Sequence, residues 1–208
     1  MLIEKSCENF TELLASTEAV PGGGGASALC GALGASLCAM AAGLTADKKK
    51  FAEYKTELTG IIADCGRLRK QLIELIDGDA EGFAPLAKAY SLPKDTPDYA
   101  SIMRDATINA LQAPFEMMKC CCAIITLTET LCDGKCSALL ISDAGCAASR
   151  SRAALECAAM NVFVNTKMLR GDEEADGIEA EAKAMLEKYL PLAEALSDSV
   201  IKKLSEVK

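Results

Sequence analysis

The spacing of apolar residues predicts a chain built almost entirely of helices. In successive stretches from Ser6 to the C-terminus, apolar positions recur every three or four residues, which is the period of one helix face. No stretch alternates apolar and polar residues between turn signals, as a half-buried strand would. We therefore expect an all-α fold, a helical bundle in which residues 1–208 form a single domain.

Capping residues and helix breakers set the expected bounds of these helices. Ser6 is a candidate N-cap for the first helix, which we expect to end near Pro21. A later helix should start with Thr96 as its N-cap and Pro97 as its first residue. This helix is expected to run past Pro114 to residue 131. Further helices are predicted at 49–76, 80–90, 142–171 and 172–206, with an interruption at 77–79.

The segment that follows residue 25 carries two ridges at helical spacing, one of large and one of small residues. The large ridge is Leu29, Leu33, Leu37, Met40 and Leu44, and the small ridge is Ser27, Gly31, Ala35, Ala39 and Gly43. The large ridge is expected to fill a core, and the small one to admit a second backbone. Residues 20–46 are uncharged, but the dominance of Ala, Gly, Ser and Cys favours a buried helix over a membrane span.

Composition excludes several classes of partner and site. The formal net charge of −8 argues against binding to nucleic acids or anionic membranes. Eleven cysteines without a secretory leader pattern indicate free thiols in a reducing cytoplasm. Histidine is absent and no CxxC pair occurs, so buried structural thiols are favoured over a metal site, and we expect no metal.

The run Gly22, Gly23, Gly24 and Gly25 is the most unusual local feature of the sequence. Consecutive glycines at a helix start expose backbone N–H groups that have no partner in the helix, and the helix dipole favours an anion or an electron-rich carbonyl there. A flexible turn explains the run equally well. A nucleotide P-loop does not, because no lysine follows the last glycine before Lys48.

The lack of histidine leaves acid–base chemistry to Asp, Glu, Lys, Tyr, Cys or water. Asp77 and Asp79 flank a glycine at the predicted helix interruption. Asp143 stands alone in an apolar run, where it either caps a helix or serves a site. Asn161 and Asn165 share a helix face, and either bind a ligand or form an interhelical hydrogen bond.

Taken together, four stretches resemble one known family. They are PGGGGASALCGALGASLCAMAAGLT, DGDAEGFAPLAKAYSLPK, SDAGCAA and NVFVN, and they lie in the order found in cyclodeaminase-type folate enzymes. The resemblance implies a mainly up-and-down helical bundle that forms a homodimer and binds a tetrahydrofolate derivative near the dimer interface. It implies no cofactor beyond that substrate. Ser137 departs from the pattern, because many relatives have a Gly-Asn element before the SD pair.

The resemblance also implies roles for individual residues. Asp79 would be the acid/base carboxylate, and Lys94 a proton donor or a ligand of that carboxylate. Asp143, Asn161 and Asn165 would bind the pterin. Gly22, Gly23, Gly24, Gly25 and Ser27 would contact the folate through backbone and hydroxyl groups.

Three activities fit these residues. The formiminotetrahydrofolate cyclodeaminase, which forms 5,10-methenyltetrahydrofolate and ammonia, is slightly favoured, because ammonia release needs no positioned water. The 5,10-methenyltetrahydrofolate cyclohydrolase is the alternative. A non-catalytic helical dimer that binds folate or a protein is the third possibility.

Overall fold

The computed structural model describes residues 1–206 and contains six α-helices within them. They are α1 (Cys7–Leu14), α2 (Gly23–Ala46), α3 (Lys55–Tyr90), α4 (Tyr99–Cys132), α5 (Ile141–Thr166) and α6 (Glu173–Ser205). Short 3-10 turns occupy Leu2–Glu4, Lys49–Tyr54 and Lys167–Leu169. Residues 1–206 contain no β-strand, which confirms the all-α prediction.

Four of the helices form a closed ring. Helix α2 packs against α3 and α5, α4 completes the ring, and α6 lies against α5 and α4. The core is aliphatic and rich in sulfur, with fully buried Leu72, Met117, Ile124 and Leu155 at its centre. Helices α2 and α5 run antiparallel, so each end of α2 lies beside the opposite end of α5.

Two predicted helix starts are confirmed, and one is wrong. The Ser6 hydroxyl accepts a hydrogen bond from Asn9 N–H, and the Asp172 carboxylate caps α6 through two backbone N–H groups. The Thr96 hydroxyl instead donates to the Pro93 carbonyl oxygen at 2.6 Å, and α4 begins later, after Asp98 at a φ of 60°. Helix α1 ends at Leu14, well before Pro21.

Helix α3 runs without interruption through residues 77–79, contrary to the predicted break. An Asp-Gly-Asp sequence costs a helix about 2 kcal/mol relative to alanine, which is small beside the apolar burial on either side. Ile76 and Leu86 are almost completely buried. The Asp77 carboxylate also accepts a hydrogen bond from Leu2 N–H at 2.6 Å, which holds the N-terminal turn against α3.

Helix α2 faces the bundle mainly with its small ridge, so the prediction that its large ridge fills a core is wrong for three of the five residues of that ridge. Ser27, Gly31 and Ala35 are buried. A Cβ at Gly31 would lie 3.2 Å from the Cys121 Sγ and equally near Leu72, so this face permits close packing of α2 on α3 and α4. Of the large ridge, Leu29 and Leu37 are half-buried against the core, and Leu33, Met40 and Leu44 are exposed. Leu33 is 50% exposed, and Leu44 is 51% exposed.

By length and apolar composition, α2 and α4 could each span a membrane. Two-thirds of the apolar window of α4 is buried inside the bundle, as expected for the core helix of a globular protein. Half of the window of α2 is buried, because its outer face is uncovered.

The eleven cysteines are all free thiols in this structure. Cys38, Cys65, Cys120, Cys121 and Cys122 are buried. Burial raises the pKa of Cys120 to about 11 and that of Cys122 to about 12, so these thiols stay protonated and pack as apolar groups. Residues 1–206 contain no cluster of three or more potential metal-ligating Cys, Asp or Glu side chains.

Candidate functional site

A cavity of about 160 Å³ lies where the glycine run, the middle of α3 and the end of α5 meet. Six of its lining residues belong to the set predicted from sequence: Gly22, Gly23, Gly24, Asp79, Asn161 and Asn165. The other lining residues are apolar: Ala19, Val20, Phe83, Ala110, Pro114 and Val164. The cavity thus combines an apolar wall with a few polar groups, which is typical of small-molecule sites.

The glycine run is both the start of α2 and one wall of the cavity. Gly22 is the N-cap and Gly23 the first helical residue, and no side chain caps the helix from its own N-terminal turn. Gly24 is buried, and a Cβ at this position would overlap the carboxylate of Asp79. Glycine is required here by this close approach, which favours the site over the flexible turn.

The Asp79 carboxylate approaches the α2 N-terminus from α3. It accepts a hydrogen bond from the backbone N–H of Gly25, one of the amides that have no partner within α2. Burial raises the pKa of Asp79 above its ordinary value, and the hydrogen bond from Gly25 offsets only part of that rise. A carboxylate of this kind is a stronger base than one in water.

The side-chain amides of Asn161 and Asn165 each donate a hydrogen bond to the backbone carbonyl oxygen four residues earlier in α5. The Nδ2 of Asn161 donates to the Cys157 carbonyl oxygen at 2.8 Å, and the Nδ2 of Asn165 donates to the Asn161 carbonyl oxygen at 3.0 Å. These bonds lie within α5, so the predicted alternative of an interhelical hydrogen bond is not what holds the two side chains. Each Oδ1 remains as an acceptor for a ligand.

Two predicted residues belong to the start of α2 without lining the cavity. The Ser27 hydroxyl is buried and donates to the Gly23 carbonyl oxygen at 2.6 Å, so it supports the first turn. Gly25 is also buried, and it acts through its N–H on Asp79.

Lys94 and Asp143 lie away from the cavity. Lys94 is exposed in the connection between α3 and α4 and is not among the residues that line the cavity. Asp143 is half-buried in the first turn of α5, at the other end of that helix from Asn161. The single chain therefore does not bring these two side chains together with Asp79.

The end of the bundle near Asp143 has its own polar contacts. The Lys48 Nζ donates to the Ser137 hydroxyl at 2.5 Å, and the Ser137 N–H donates to the Thr45 hydroxyl at 3.2 Å. Ser137 is buried, so the residue that departs from the family pattern joins α2 to the loop before α5.

Sequence reasoning missed the aromatic wall of the cavity. Phe83 follows Asp79 by four residues, and side chains at this spacing lie on the same side of a continuous helix. The signal was present in the sequence, but the predicted break at residues 77–79 separated the two residues into different elements.

Comparison with known proteins places the chain in a family. The Formiminotransferase-cyclodeaminase family model matches residues 6–184. A methenyltetrahydrofolate cyclohydrolase of Methylorubrum extorquens is 36% identical over 195 residues, which cover 88% of this chain and 93% of that protein. The chain therefore belongs to the formiminotransferase-cyclodeaminase family.

Two further relatives show how the chain compares in length and fold. The formimidoyltransferase-cyclodeaminase of Mus musculus is 28% identical over 176 residues, which cover 82% of this chain but only 32% of the mouse protein. The crystal structure of a formiminotetrahydrofolate cyclodeaminase from Thermotoga maritima superposes with a TM-score of 0.85 at 22% identity. The match covers 97% of this chain and all of that one, which establishes the fold.

Proposed function

We propose that this chain is a folate one-carbon enzyme that hydrolyses 5,10-methenyltetrahydrofolate to 10-formyltetrahydrofolate. The observation that carries the proposal is the desolvated Asp79 carboxylate beside the open N-terminus of α2. It is the ionisable side chain among the residues described as lining the cavity. A single carboxylate base suits attack by water on a cationic carbon.

The proposed reaction uses Asp79 first as a base and then as an acid. Water adds to the methenyl carbon of the cation and gives up one proton to the Asp79 carboxylate. The resulting carbinol loses its second proton to solvent as its C=O bond forms and the bond from carbon to N5 breaks. Asp79 returns its proton to N5, so each turnover releases one proton overall. The raised pKa of Asp79 supports both steps.

The polar groups of the cavity suit the donors and acceptors of a pterin. The Oδ1 atoms of Asn161 and Asn165 can accept hydrogen bonds from the pterin ring N–H and the exocyclic amino group. The free N–H groups at the start of α2 can donate to the pterin carbonyl. Phe83 supplies an aromatic surface for the ring system.

The cyclodeaminase reaction is the second candidate, and the names of the mouse and Thermotoga maritima proteins favour it. In that reaction N10 attacks the formimino carbon, and ammonia leaves as the methenyl cation forms. Protonated Asp79 would supply the proton that the leaving amine takes. The sequence alone slightly favoured this activity, whereas the higher identity and near-complete coverage of the cyclohydrolase relative favour hydrolysis.

The proposed enzyme is cytoplasmic, acts as a homodimer, and uses no cofactor beyond its tetrahydrofolate substrate. Lys94 has no part in the proposed mechanism, because it does not line the cavity.

One assay separates the candidates. Purified chain is given 5,10-methenyltetrahydrofolate in one cuvette and 5-formiminotetrahydrofolate in another, and the methenyl absorbance is followed against an enzyme-free blank. Hydrolysis accelerates the loss of absorbance in the first, and cyclodeamination produces a rise in the second. The Asp79→Asn variant is the control for contaminating activity. Tight folate binding without turnover in either cuvette would refute both enzymatic candidates and support a binding protein.

A further inference from the structure

The cavity is smaller than the ligand proposed for it. At about 160 Å³, it lies below the roughly 300 to 1,000 Å³ of most ligand sites. The pterin is only the first part of a tetrahydrofolate, because N10 also carries a p-aminobenzoyl ring followed by a glutamate. This aryl arm therefore has to extend beyond the residues that line the cavity, over a neighbouring surface of the protein.

The direction of that surface follows from where α2 begins. Helix α2 runs antiparallel to α3 and to α5, and its first turn lies beside Asp79 of α3 and Asn161 of α5. It therefore closes the cavity at one end. The last turns of α3 and α5 continue past the start of α2, so the cavity continues between these two helix ends.

Tyr90 and Met168 meet between the two helix ends. Tyr90 follows Asp79 by eleven residues, which is three turns of α3, so it lies on the same side of the helix about 16 Å further along. Met168 follows Asn165 by three residues in the 3-10 turn that continues α5, and side chains at this spacing lie in line. The Tyr90 hydroxyl donates a hydrogen bond to the Met168 Sδ at 3.2 Å.

A path of exposed apolar side chains leads from the cavity to this contact. Val164, which lines the cavity, is 59% exposed, and Met168, one turn further, is 44% exposed. Tyr90 is 52% exposed, and Phe83 lies between the cavity and Tyr90 on the same side of α3. Single exposed apolar residues are common on protein surfaces, but these form a continuous series that starts at the cavity. Aromatic rings and a thioether suit a flat aryl group.

We propose that Tyr90 and Met168 bind the p-aminobenzoyl arm of the substrate and thereby set its affinity. This inference rests on the proposed folate-dependent function. The ring of Tyr90 packs against the aryl ring of the arm, and the Met168 thioether contacts the same group. Their mutual hydrogen bond orients both side chains before the substrate arrives, which reduces the entropy lost on binding. Three helical turns separate Tyr90 from Asp79, so the contact acts on binding and not on the reacting carbon.

Binding of two ligands to the purified full chain tests this assignment. Tetrahydrofolate carries the aryl arm, 6-methyltetrahydropterin lacks it, and isothermal titration calorimetry under argon gives the Kd of each. Tyr90→Ala should raise the Kd of tetrahydrofolate about tenfold and leave that of 6-methyltetrahydropterin within about twofold. Met168→Ala should raise the Kd of tetrahydrofolate about threefold, with the same selectivity.

Two variants are the matched controls. Tyr90→Phe keeps the aromatic ring, so the Kd of tetrahydrofolate should stay within about threefold of wild type. Ile201→Ala shortens another exposed apolar side chain, on α6, and should change neither Kd. Circular dichroism should show an unchanged helical fold for every variant, because Tyr90 and Met168 are half-exposed. In the hydrolysis assay, Tyr90→Ala should raise KM while kcat stays within about threefold, as expected for a contact made equally in the ground state and the transition state.

Several outcomes would overturn the inference and leave the proposed function standing. Equal weakening of both ligands by Tyr90→Ala would show that Tyr90 supports the cavity and not the arm. Unchanged binding of tetrahydrofolate in both alanine variants would exclude this path for the arm. A wild-type chain that binds the two ligands equally tightly would show that the arm makes no contact. A wild-type chain that binds neither ligand would instead refute the proposed function, and this inference with it.

Discussion

Replacing Gly24 by alanine tests whether the close contact between α2 and Asp79 sets the geometry of the site. A Cβ at position 24 would overlap the Asp79 carboxylate. Restoring an ordinary contact of about 3.4 Å requires the carboxylate or the first turn of α2 to move by roughly 1 Å. A displacement of this size at a catalytic group costs about 100-fold in rate. We therefore expect Gly24→Ala to lower kcat/KM for methenyltetrahydrofolate hydrolysis by about two orders of magnitude.

The matched control is Gly60→Ala, another glycine-to-alanine change within a helix. A Cβ at Gly60 would meet no atom within 4 Å, so this variant should keep full activity. It should also gain about 0.5 to 1 kcal/mol in the free energy of unfolding, because alanine favours the helix. Urea unfolding followed by circular dichroism measures both variants. A folded Gly24→Ala enzyme with kcat/KM within threefold of wild type would refute the argument from close approach.

Four further predictions follow from burial and charge. Because the pKa of Asp79 is raised in the folded chain, its ionisation opposes folding, and wild-type stability falls as pH rises from the ordinary carboxyl pKa through the folded one. Asp79→Asn should thus unfold at a higher temperature than wild type at pH 7, lose this advantage below about pH 4, and lower kcat by at least about 100-fold. Equal melting temperatures at pH 7 would contradict the raised pKa. Lys94→Ala should keep kcat within twofold, since Lys94 is exposed outside the cavity; a tenfold loss would restore its predicted catalytic role. Gly145→Ala should lower the free energy of unfolding by about 1 to 3 kcal/mol, because its Cβ would lie 2.8 Å from the Val200 Cγ1. An unchanged midpoint of urea unfolding would show that α6 shifts to accommodate the methyl group at little cost. The Cys121 thiol should react with a thiol reagent only after urea unfolding, and rapid modification in the native protein would contradict its complete burial.

Local chemistry made part of the site predictable from sequence. The glycines mark a helix start because they lack Cβ atoms. Asn161 and Asn165 are recognisable because burying two side-chain amides in an apolar helix face is costly unless they are hydrogen-bonded. Asp79 follows from the absence of histidine and from the family resemblance. These inferences need only neighbours in the chain, and the structure brings these residues into one cavity.

The wrong predictions depended on contacts between distant segments. The break in α3 was predicted from Asp77, Gly78 and Asp79, but burial of Ile76 and Leu86 against other helices outweighs their low helix propensity. The orientation of α2 was also misjudged. Periodicity defines two faces of a helix, yet it does not say which face meets the rest of the chain. The position of Asp143 was misjudged for a similar reason, because a resemblance in sequence motifs does not give the distance between Asp143 and the other predicted site residues.

Through its hydrogen bond from Gly25 N–H, the Asp79 carboxylate also caps the N-terminus of α2, where no side chain of α2 itself does so. Under the proposed mechanism this cap also carries the proton, so its strength changes within every catalytic cycle, because a neutral carboxyl holds a helix amide less firmly than a carboxylate does. The first turn of α2 should therefore loosen when Asp79 holds a proton. Hydrogen exchange at the Gly25 amide would then report the protonation state of Asp79, independently of any substrate.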